Sequence, residues 1–327
     1  MYRKLDSKTT RKVFLLGLGV ILPLAARAHP QGSAPESSAA TPQAQGIAPE
    51  KDKECSACCG QGLKDSPGSG AGRKKNNVFR WWLRTAEQVQ ATQPDWLSPL
   101  VTTSGRLKQE FRYDIWDQPA NGENRNYQFG GNKGLEFITS SRTQLLVGVP
   151  TYTLVSPNGP PGGFGDLPLM LKVRLTSAER TEGNYLVTFI LGATAPTGSH
   201  RYGADNAVLT PTLALGKGWG RFDVQSTFGA NLPAGDTAKL GRQLQWNAAF
   251  QYRAAWKLWP EVEANSTFYK TGKYAGNKQL FLTPGIGFGR VRVGGRFRFS
   301  SAAGMQIAAT QFHTYNHRWI FSERLSF

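Results

Sequence analysis

Alternation of polar and apolar side chains along most of the chain is the feature that most restricts its fold. Residues 290–300 read RVRVGGRFRFS, and arginine alternates there with valine or phenylalanine on both sides of the two glycines. A period of two gives a β-strand two unlike faces. The same alternation recurs from about residue 105 to the C-terminus. It predicts about twelve strands, over 106–117, 130–139, 142–154, 165–177, 184–195, 207–216, 220–231, 241–256, 259–270, 278–289, 290–301 and 316–327.

The connections between these segments alternate in length. Short links such as SSR (140–142) and GR (289–290) follow every second strand, whereas links such as PTGSHRYGADN (196–206) separate the others. A soluble antiparallel sheet also has one polar face. An even number of strands with alternately short and long links is typical of a transmembrane barrel. We therefore predict an all-β fold, a transmembrane antiparallel up-and-down β-barrel of about twelve strands over 105–327.

The N-terminal part of the chain has a different composition. Residues 1–28 combine a basic start, a short apolar run and ARA before His29, which predicts a secretory signal peptide rather than a membrane span. Residues 29–77 are rich in Ser, Ala, Pro and Gly and predict a disordered periplasmic arm. Residues 78–104 predict a linker with a short helix at VFRWWLRTAEQVQ.

The net charge of +17 stays clearly positive without the leader. Nucleic acid is the usual partner of a basic chain. An exported chain whose basic residues are spread along strands does not fit that partner, so we predict no nucleic-acid binding. We expect the protein in the outer membrane of a Gram-negative bacterium, surrounded by outer-membrane lipid, with its arm in the periplasm.

The chain ends in RWIFSERLSF, where Trp319, Phe321, Leu325 and Phe327 alternate. This ending resembles the C-terminal signal that outer-membrane barrels present to their insertion machinery. The resemblance implies that the strand ending at Phe327 engages that machinery as a partner. Glu323 interrupts the apolar face, and a carboxylate costs little there if it lies near the membrane interface.

Four stretches carry a resemblance to a known family, and the first, GLEFITSSRTQLLVGVP (134–150), looks like an early pair of strands of that family. GFGDLPLMLKVRL, YLVTFILGATAPTGSH and LTPTLALGKGWGRFDVQSTFGANLP, in this order, resemble the outer-membrane barrel family named after the MetA pathway of phenol degradation, over roughly 105–327. The resemblance implies a barrel proposed as a transporter, often associated with the breakdown of aromatic compounds. The family-motif positions are Gly165, Asp166, Pro196, Thr197 and Gly198. The long arm with cysteines departs from the family pattern.

Many of the side chains predicted to face the lumen are charged. We expect two carboxylates, Glu261 and Glu263, to oppose the basic residues Arg112, Lys172, Arg174, Arg253, Arg290, Arg292, Arg296 and Arg298. The same face also holds Lys108, Glu110, Asp114, Asp166, Asp223, Arg318 and Arg324. Side chains can largely fill a barrel of this size, so one interpretation is a salt-bridged plug. The other is a polar path whose positive potential favours anionic solutes.

The only cysteines of the chain are Cys55, Cys58 and Cys59, in CSACCGQG. Two thiolates two residues apart can chelate a metal, but a closed tetrahedral zinc site needs four ligands. Export favours a disulfide between two of the three over metal binding. A metal site formed by the three cysteines is the alternative.

The sequence contains no nucleophile elbow, phosphate-binding loop or HExxH motif. His313 and His317 lie in a predicted loop without a paired serine. We therefore predict no catalytic residue, no enzyme activity and no cofactor. The function predicted is passive diffusion of small solutes, aromatic or anionic, through a basic lumen. The alternatives are a structural or adhesive barrel with a partner- or metal-binding arm and, more remotely, a barrel enzyme.

Overall fold

The computed structural model of the protein describes residues 73–120, 122–131 and 133–327. The predicted signal peptide, the cysteine motif and residues 29–72 of the predicted arm lie outside these residues. Residues 73–77, which the sequence assigned to the arm, belong instead to helix α1 (Arg73–Ala91). None of the helices within the described ranges is long and apolar enough to cross a membrane.

Fifteen strands form one sheet. Their bounds are β1 Glu110–Pro119, β2 Arg125–Gly130, β3 Gly134–Ile138, β4 Thr143–Gly148, β5 Tyr152–Ser156, β6 Gly163–Phe164, β7 Leu167–Ala178, β8 Tyr185–Ala195, β9 Val208–Trp219, β10 Phe222–Pro233, β11 Gln243–Tyr252, β12 Leu258–Tyr269, β13 Lys278–Gly294, β14 Phe297–Ala308 and β15 His317–Ser326. A short helix α2 (Thr237–Leu240) lies between β10 and β11, and a 3₁₀ turn over 255–257 precedes β12.

The sheet closes on itself. Each strand pairs antiparallel with its neighbours, and β15 pairs with β1 from Glu110↔Ser326 to Asp117↔Trp319. Three barrel strands are interrupted, so that β2 and β3, β4 and β5, and β6 and β7 are successive halves of one strand each, broken near 131–133, 149–151 and 165–166. Counted in this way the ring has twelve strands, which confirms the predicted closed antiparallel barrel.

The alternation predicted from the sequence separates the two faces of the wall. Apolar side chains on the outer face remain exposed, as at Leu215 (47%) and Phe228 (56%). Polar side chains on the inner face are buried, as at Gln251 and Glu263, both 0% exposed. This arrangement inverts that of a soluble protein, since the large apolar side chains are in contact with the surroundings. Glu323 is on the outer face of β15, as its position in the alternation predicts.

The motif RVRVGGRFRFS is a hairpin, not the single strand 290–301 predicted from its alternation. Strand β13 continues to Gly294, and β14 begins at Phe297. The turn uses Gly294 and Gly295, whose φ angles of 155° and 49° favour glycine. The predicted turn at Gly289–Arg290 is a β-bulge instead, since the register with β14 shifts between Phe288 and Val291. Residues 302–308, the first half of the long link predicted after residue 301, accordingly belong to β14.

The two ends of the barrel differ. We call the end with the connections 139–142, 179–184, 220–221, 253–257 and 295–296 the turn end, and the opposite end, with longer connections such as 196–207 and 234–242, the loop end. The first loop-end connection, 120–124, is shorter than predicted because β1 and β2 extend into it. Helix α1 lies at the turn end, where the Trp82 indole donates to the Ile138 carbonyl at 2.6 Å and Arg296 contacts Glu87 at 2.8 Å.

The chain between α1 and β1 enters the barrel. We call residues 92–109 the inserted segment; most of its side chains from Gln93 onward are buried, and it contacts inner-face residues of β8, β10, β12 and β15. The sequence instead assigned residues 78–104 to a linker and began the first strand at 106 with Leu107 facing outward. Leu107 is fully buried and packs with Ala86, Val89 and Ile138. The first strand therefore begins at Glu110.

Candidate functional site in the barrel lumen

The inserted segment is fixed at the middle of the lumen by a carboxylate. Both oxygens of Glu263 accept backbone N–H groups of the segment, from Val101 at 2.8 Å and from Thr102 at 2.6 Å. Glu263 extends inward from β12 and is fully buried. Hydrogen bonds to an ionised group are the stronger kind. The pair therefore fixes the position of the segment and satisfies a buried charge.

Two guanidinium groups hold the carbonyl side of the same segment. Arg112 donates to the carbonyls of Pro99 at 3.1 Å and Leu100 at 2.6 Å, and Arg324 donates to those of Ser98 at 2.5 Å and Pro99 at 3.2 Å. The arginines come from β1 and β15, the strands that close the ring, where Arg112 is directly opposite Arg324. An arginine presents several donors in a rigid planar fork, which suits a run of consecutive carbonyls.

A buried charge network lies beside the start of β1. Glu136 is 3.0 Å from Lys172 and 3.7 Å from Lys108, and Lys108 is 2.5 Å from Glu110. All four side chains are nearly inaccessible to solvent. The Gln144 amide donates to Glu136 at 2.5 Å, while its oxygen accepts the Lys108 backbone N–H. Burying ions stabilises a fold only when each is paired and hydrogen-bonded, as they are here.

A cavity of about 460 Å³ lies on the turn-end side of the inserted segment. We call it the basic chamber. It is lined by three acidic side chains, Glu87, Asp95 and Glu110, and by seven basic ones, Arg106, Lys108, Arg290, Arg292, Arg296, Arg298 and Arg324. Burial lowers the pKa of Arg106 to about 10, so this guanidinium remains charged at neutral pH. The chamber therefore has an excess of positive charge.

A second cavity of about 340 Å³ lies on the loop-end side of the segment. We call it the threonine chamber. Among its lining residues are Thr103, Trp116, Lys133, Gln245, Asn247, Thr194, Thr210, Thr212 and Thr227. Lys133 is the one charged residue of this lining, which also includes apolar side chains such as Leu146, Met170 and Ile190. Residues 100 and 101 of the inserted segment contribute to this chamber, whereas residues 97 and 98 line the basic one.

The structure brings most of the predicted lumen residues to the inner face. Arg112, Lys172, Glu261 and Glu263 are buried there, while Arg290, Arg292, Arg296 and Arg298 line the basic chamber. The other two predicted lumen residues, Arg174 and Arg253, lie at the turn end. Arg174 donates to the carbonyls of Val89 and Ser141 and thereby holds the end of α1. Arg253 is exposed in the turn before β12, with its guanidinium 5.7 Å from the Trp259 ring, and lines neither chamber.

The family-motif residues lie together at the loop end, outside both chambers. Asp166 accepts the backbone N–H groups of Gly198 at 3.0 Å and Ala204 at 2.8 Å, and the Thr197 hydroxyl accepts the Leu167 N–H at 3.0 Å. A side chain at Gly198 would meet the backbone of Gly165 at 2.7 Å. Pro196 begins the loop directly after β8. These positions fasten the loop 196–207 to the break between β6 and β7.

Sequence reasoning missed Glu136 and the whole inserted segment. One signal for the segment was present in PGIGFGR, where Gly285, Gly287 and Gly289 alternate on the inner face of β13. A Cβ at Gly287 would lie 2.2 Å from a methyl carbon of Leu97, and one at Gly285 would lie 2.5 Å from a methyl carbon of Leu100. Alternating glycines in a strand indicate that another part of the chain approaches closely.

Within the described part of the chain no three His, Cys, Asp or Glu side chains form a group that could hold a metal ion. Cys55, Cys58 and Cys59 lie outside it, so neither the disulfide nor the metal alternative is addressed by the structure. The absence of a catalytic residue stays a prediction.

Known proteins are similar to this chain in structure but do not match it in sequence. No family model and no curated protein matches the sequence, so the family resemblance given above stays a prediction. The chain is similar to the structure of an outer membrane channel from Pseudomonas putida F1, with a TM-score of 0.47 and 14% identity over 67% of this chain and 94% of that one. It is also similar to the NanC porin, with a TM-score of 0.44 and 6% identity over 67% of this chain and 98% of that one.

Proposed function

We propose that the protein is a passive outer-membrane channel for small anionic solutes, aromatic carboxylates among them. The observation that carries the proposal is the combination of a closed ring with an apolar outer face and a charged lumen containing a cavity on each side of the inserted segment. An apolar outer face suits lipid, and a closed ring leaves no unpaired strand edge within a membrane.

The orientation follows from the two ends. In outer-membrane barrels short turns face the periplasm and long loops face outward. We infer that α1, the basic chamber and the arm lie on the periplasmic side. We also infer that the strand ending at Phe327 is the one recognised by the barrel insertion machinery.

The selectivity follows from the charges on the path. A solute entering at the loop end would meet the neutral threonine chamber with its single lysine, and then the basic chamber. Fixed positive charges in a narrow, low-dielectric passage raise the local concentration of anions. The inserted segment lies between the two chambers, so we expect a small conductance for a barrel of this size.

The test is current through planar bilayers containing the purified protein. With a salt gradient across the membrane, the sign of the reversal potential should show anions as the more permeant ions. Raising the ionic strength should weaken this preference, because salt screens the fixed charges. A protein that inserts into the bilayer but passes no current would overturn the proposal. That result would favour the second candidate, a structural barrel closed by its inserted segment. The many hydrogen bonds between this segment and the barrel wall support that candidate.

A further inference from the structure

We propose that the basic chamber contains a specific site for a doubly charged oxyanion, such as a phosphate monoester or a dicarboxylate. The inference rests on the proposed function in one respect, namely that the ligand is identified as the transported solute. Binding itself can be measured on a barrel that does not conduct.

Some of the positive charge in the chamber is already compensated. Arg290 forms an ion pair with Asp95, Arg296 contacts Glu87 at 2.8 Å, and Lys108 contacts Glu110 at 2.5 Å. These pairs account for all three acidic side chains of the lining. Any further anion in the chamber would therefore bind to other cations.

Three arginines remain without a carboxylate. Among the described residues no Asp or Glu oxygen lies within 4.0 Å of the guanidinium of Arg292, Arg298 or Arg324. Arg324 is buried, and its guanidinium donates to Ser322 and to two carbonyls of the inserted segment. Arg292 and Arg298 are exposed and line the chamber.

Arg292 and Arg298 are also directly opposite each other on β13 and β14. Side chains that are opposite on one face of an antiparallel pair have Cβ atoms about 5 Å apart, and like charges there are destabilising. An anion with two negative charges between the two guanidinium groups would convert this repulsion into two charge-assisted interactions. A singly charged anion would compensate only one of them.

A buried donor points to the same ligand. Arg106 is 5% exposed and lines the chamber, and its Nε–H has no hydrogen-bond partner among the described residues. An unsatisfied buried donor costs about 1–3 kcal/mol, so buried donors are normally paired. Rotation of the Arg106 side chain would bring this N–H to an oxyanion in the chamber.

The size of the chamber agrees with a small solute. Its volume of about 460 Å³ lies within the range usual for small-molecule sites. The chamber therefore has room for an aromatic ring as well as for the charged group. Phenyl phosphate and phthalate are therefore suitable probes, since they represent a doubly charged phosphate monoester and a doubly charged dicarboxylate. Benzoate is the matching singly charged probe.

The experiment is titration calorimetry of the full-length protein in a neutral detergent with phenyl phosphate, phthalate, inorganic phosphate and benzoate at fixed ionic strength. The variant is R292Q/R298Q, and R180Q is the matched control, since Arg180 is exposed at the same end of the barrel but does not line the chamber. We expect saturable binding of at least one doubly charged probe, at least tenfold tighter than benzoate. We also expect at least a tenfold loss in R292Q/R298Q and no change in R180Q.

Thermal unfolding shows whether R292Q/R298Q is still folded, so that a loss of binding can be distinguished from a loss of structure. Without ligand the melting temperature of R292Q/R298Q should equal or exceed that of the wild type, because a like-charge pair has been removed. With phenyl phosphate or phthalate the wild type alone should be stabilised, since a ligand that binds the folded state raises its stability. Equal binding of benzoate, or binding unchanged in the variant, overturns the proposal. Binding without conductance would overturn the channel instead, and conductance without saturable binding would overturn only the site.

Discussion

The backbone N–H of Thr102 donates a hydrogen bond of 2.6 Å to the carboxylate of Glu263, across 161 positions of the sequence. The second oxygen of the same carboxylate accepts the N–H of Val101. One side chain of the barrel wall thus holds two successive peptide groups of the segment that lies in the lumen. This contact offers a direct way to loosen the segment without changing the wall.

We expect Glu263→Gln to raise the conductance several-fold. The amide keeps one acceptor oxygen but places an N–H₂ donor against a backbone N–H, so one of the two hydrogen bonds is lost. Such a loss costs about 1–3 kcal/mol. Single-channel recordings of variant and wild type measure the effect.

Glu323→Gln is the control for this experiment. It makes the same chemical change on β15, but Glu323 lies on the outer face and does not contact the inserted segment. Its conductance should match that of the wild type. Equal currents from all three proteins would show that Glu263 does not hold the segment in place.

The glycines of β13 allow a second test of the inserted segment. A Cβ at Gly287 would meet a methyl carbon of Leu97 at 2.2 Å and otherwise only atoms 3.6 Å away. Gly287→Ala should therefore lower the free energy of unfolding by about 1–3 kcal/mol through overpacking. Leu97→Ala removes the clashing atoms, so the double variant should be more stable than the sum of the single changes predicts. Urea unfolding of the four proteins gives this coupling energy. A coupling of zero would place Leu97 away from β13 in solution.

The fold of the barrel could be predicted from the sequence because its cause is local. Each strand carries its own alternation, and lipid-facing and lumen-facing side chains need no information from distant residues. The ends of several strands were misplaced, and the three interruptions and the bulge at 289–290 were not predicted. The alternation of arginine with apolar residues continues in the same register before and after the glycine pair 294–295. The periodicity of RVRVGGRFRFS therefore does not reveal that the chain reverses there.

The inserted segment could not be predicted in the same way. Its stability comes from contacts made at great sequence distance, such as that of Arg324 with the carbonyl of Ser98. WLSPLVTTSG (96–105) has neither a helical nor a strand period, so composition alone suggests a linker. The basic chamber was only partly predictable, because the inward direction of Arg292 and Arg298 follows from alternation, whereas the burial of Arg106 depends on the segment.

The third prediction is that breaking the charge network around Glu136 destabilises the barrel. Glu136 is the shared partner of Lys108 and Lys172. Glu136→Gln leaves the Lys172 ammonium buried without a carboxylate, whereas Lys108 keeps Glu110. Breaking one partner out of a buried pair costs about 3–5 kcal/mol. We expect a loss of that size in urea unfolding of the protein in lipid vesicles.

Two further variants decide whether that loss comes from the unpaired charge. Glu136→Gln combined with Lys172→Met removes the uncompensated ammonium and should recover a large part of the stability. Glu182→Gln, in an exposed turn at the same end, should change it by less than about 0.5 kcal/mol. Failure of the double variant to recover would mean that Glu136 acts through its hydrogen bond with Gln144 instead.

The last prediction concerns the loop 196–207. Asp166 accepts one backbone N–H from each side of this loop, at Gly198 and at Ala204. Asp166→Asn keeps only one acceptor, at a cost of about 1 kcal/mol, which corresponds to roughly a fivefold larger open population. Since Arg201 is exposed between these two anchors, trypsin should cleave the folded variant there about five times faster, because cleavage of a loop follows its local opening.

Asp205→Asn provides the matched comparison for the loop. Asp205 lies in the same loop, with a φ of 56° that asparagine also tolerates, and its contacts with His200 at 3.4 Å and Lys239 at 3.8 Å are solvent-exposed. Exposed ion pairs contribute little, so cleavage at Arg201 should stay close to the wild-type rate. If Asp166→Asn and Asp205→Asn were cleaved equally fast, the family-motif aspartate would have no special part in fastening the loop, and the order of GD before PTG would need another explanation.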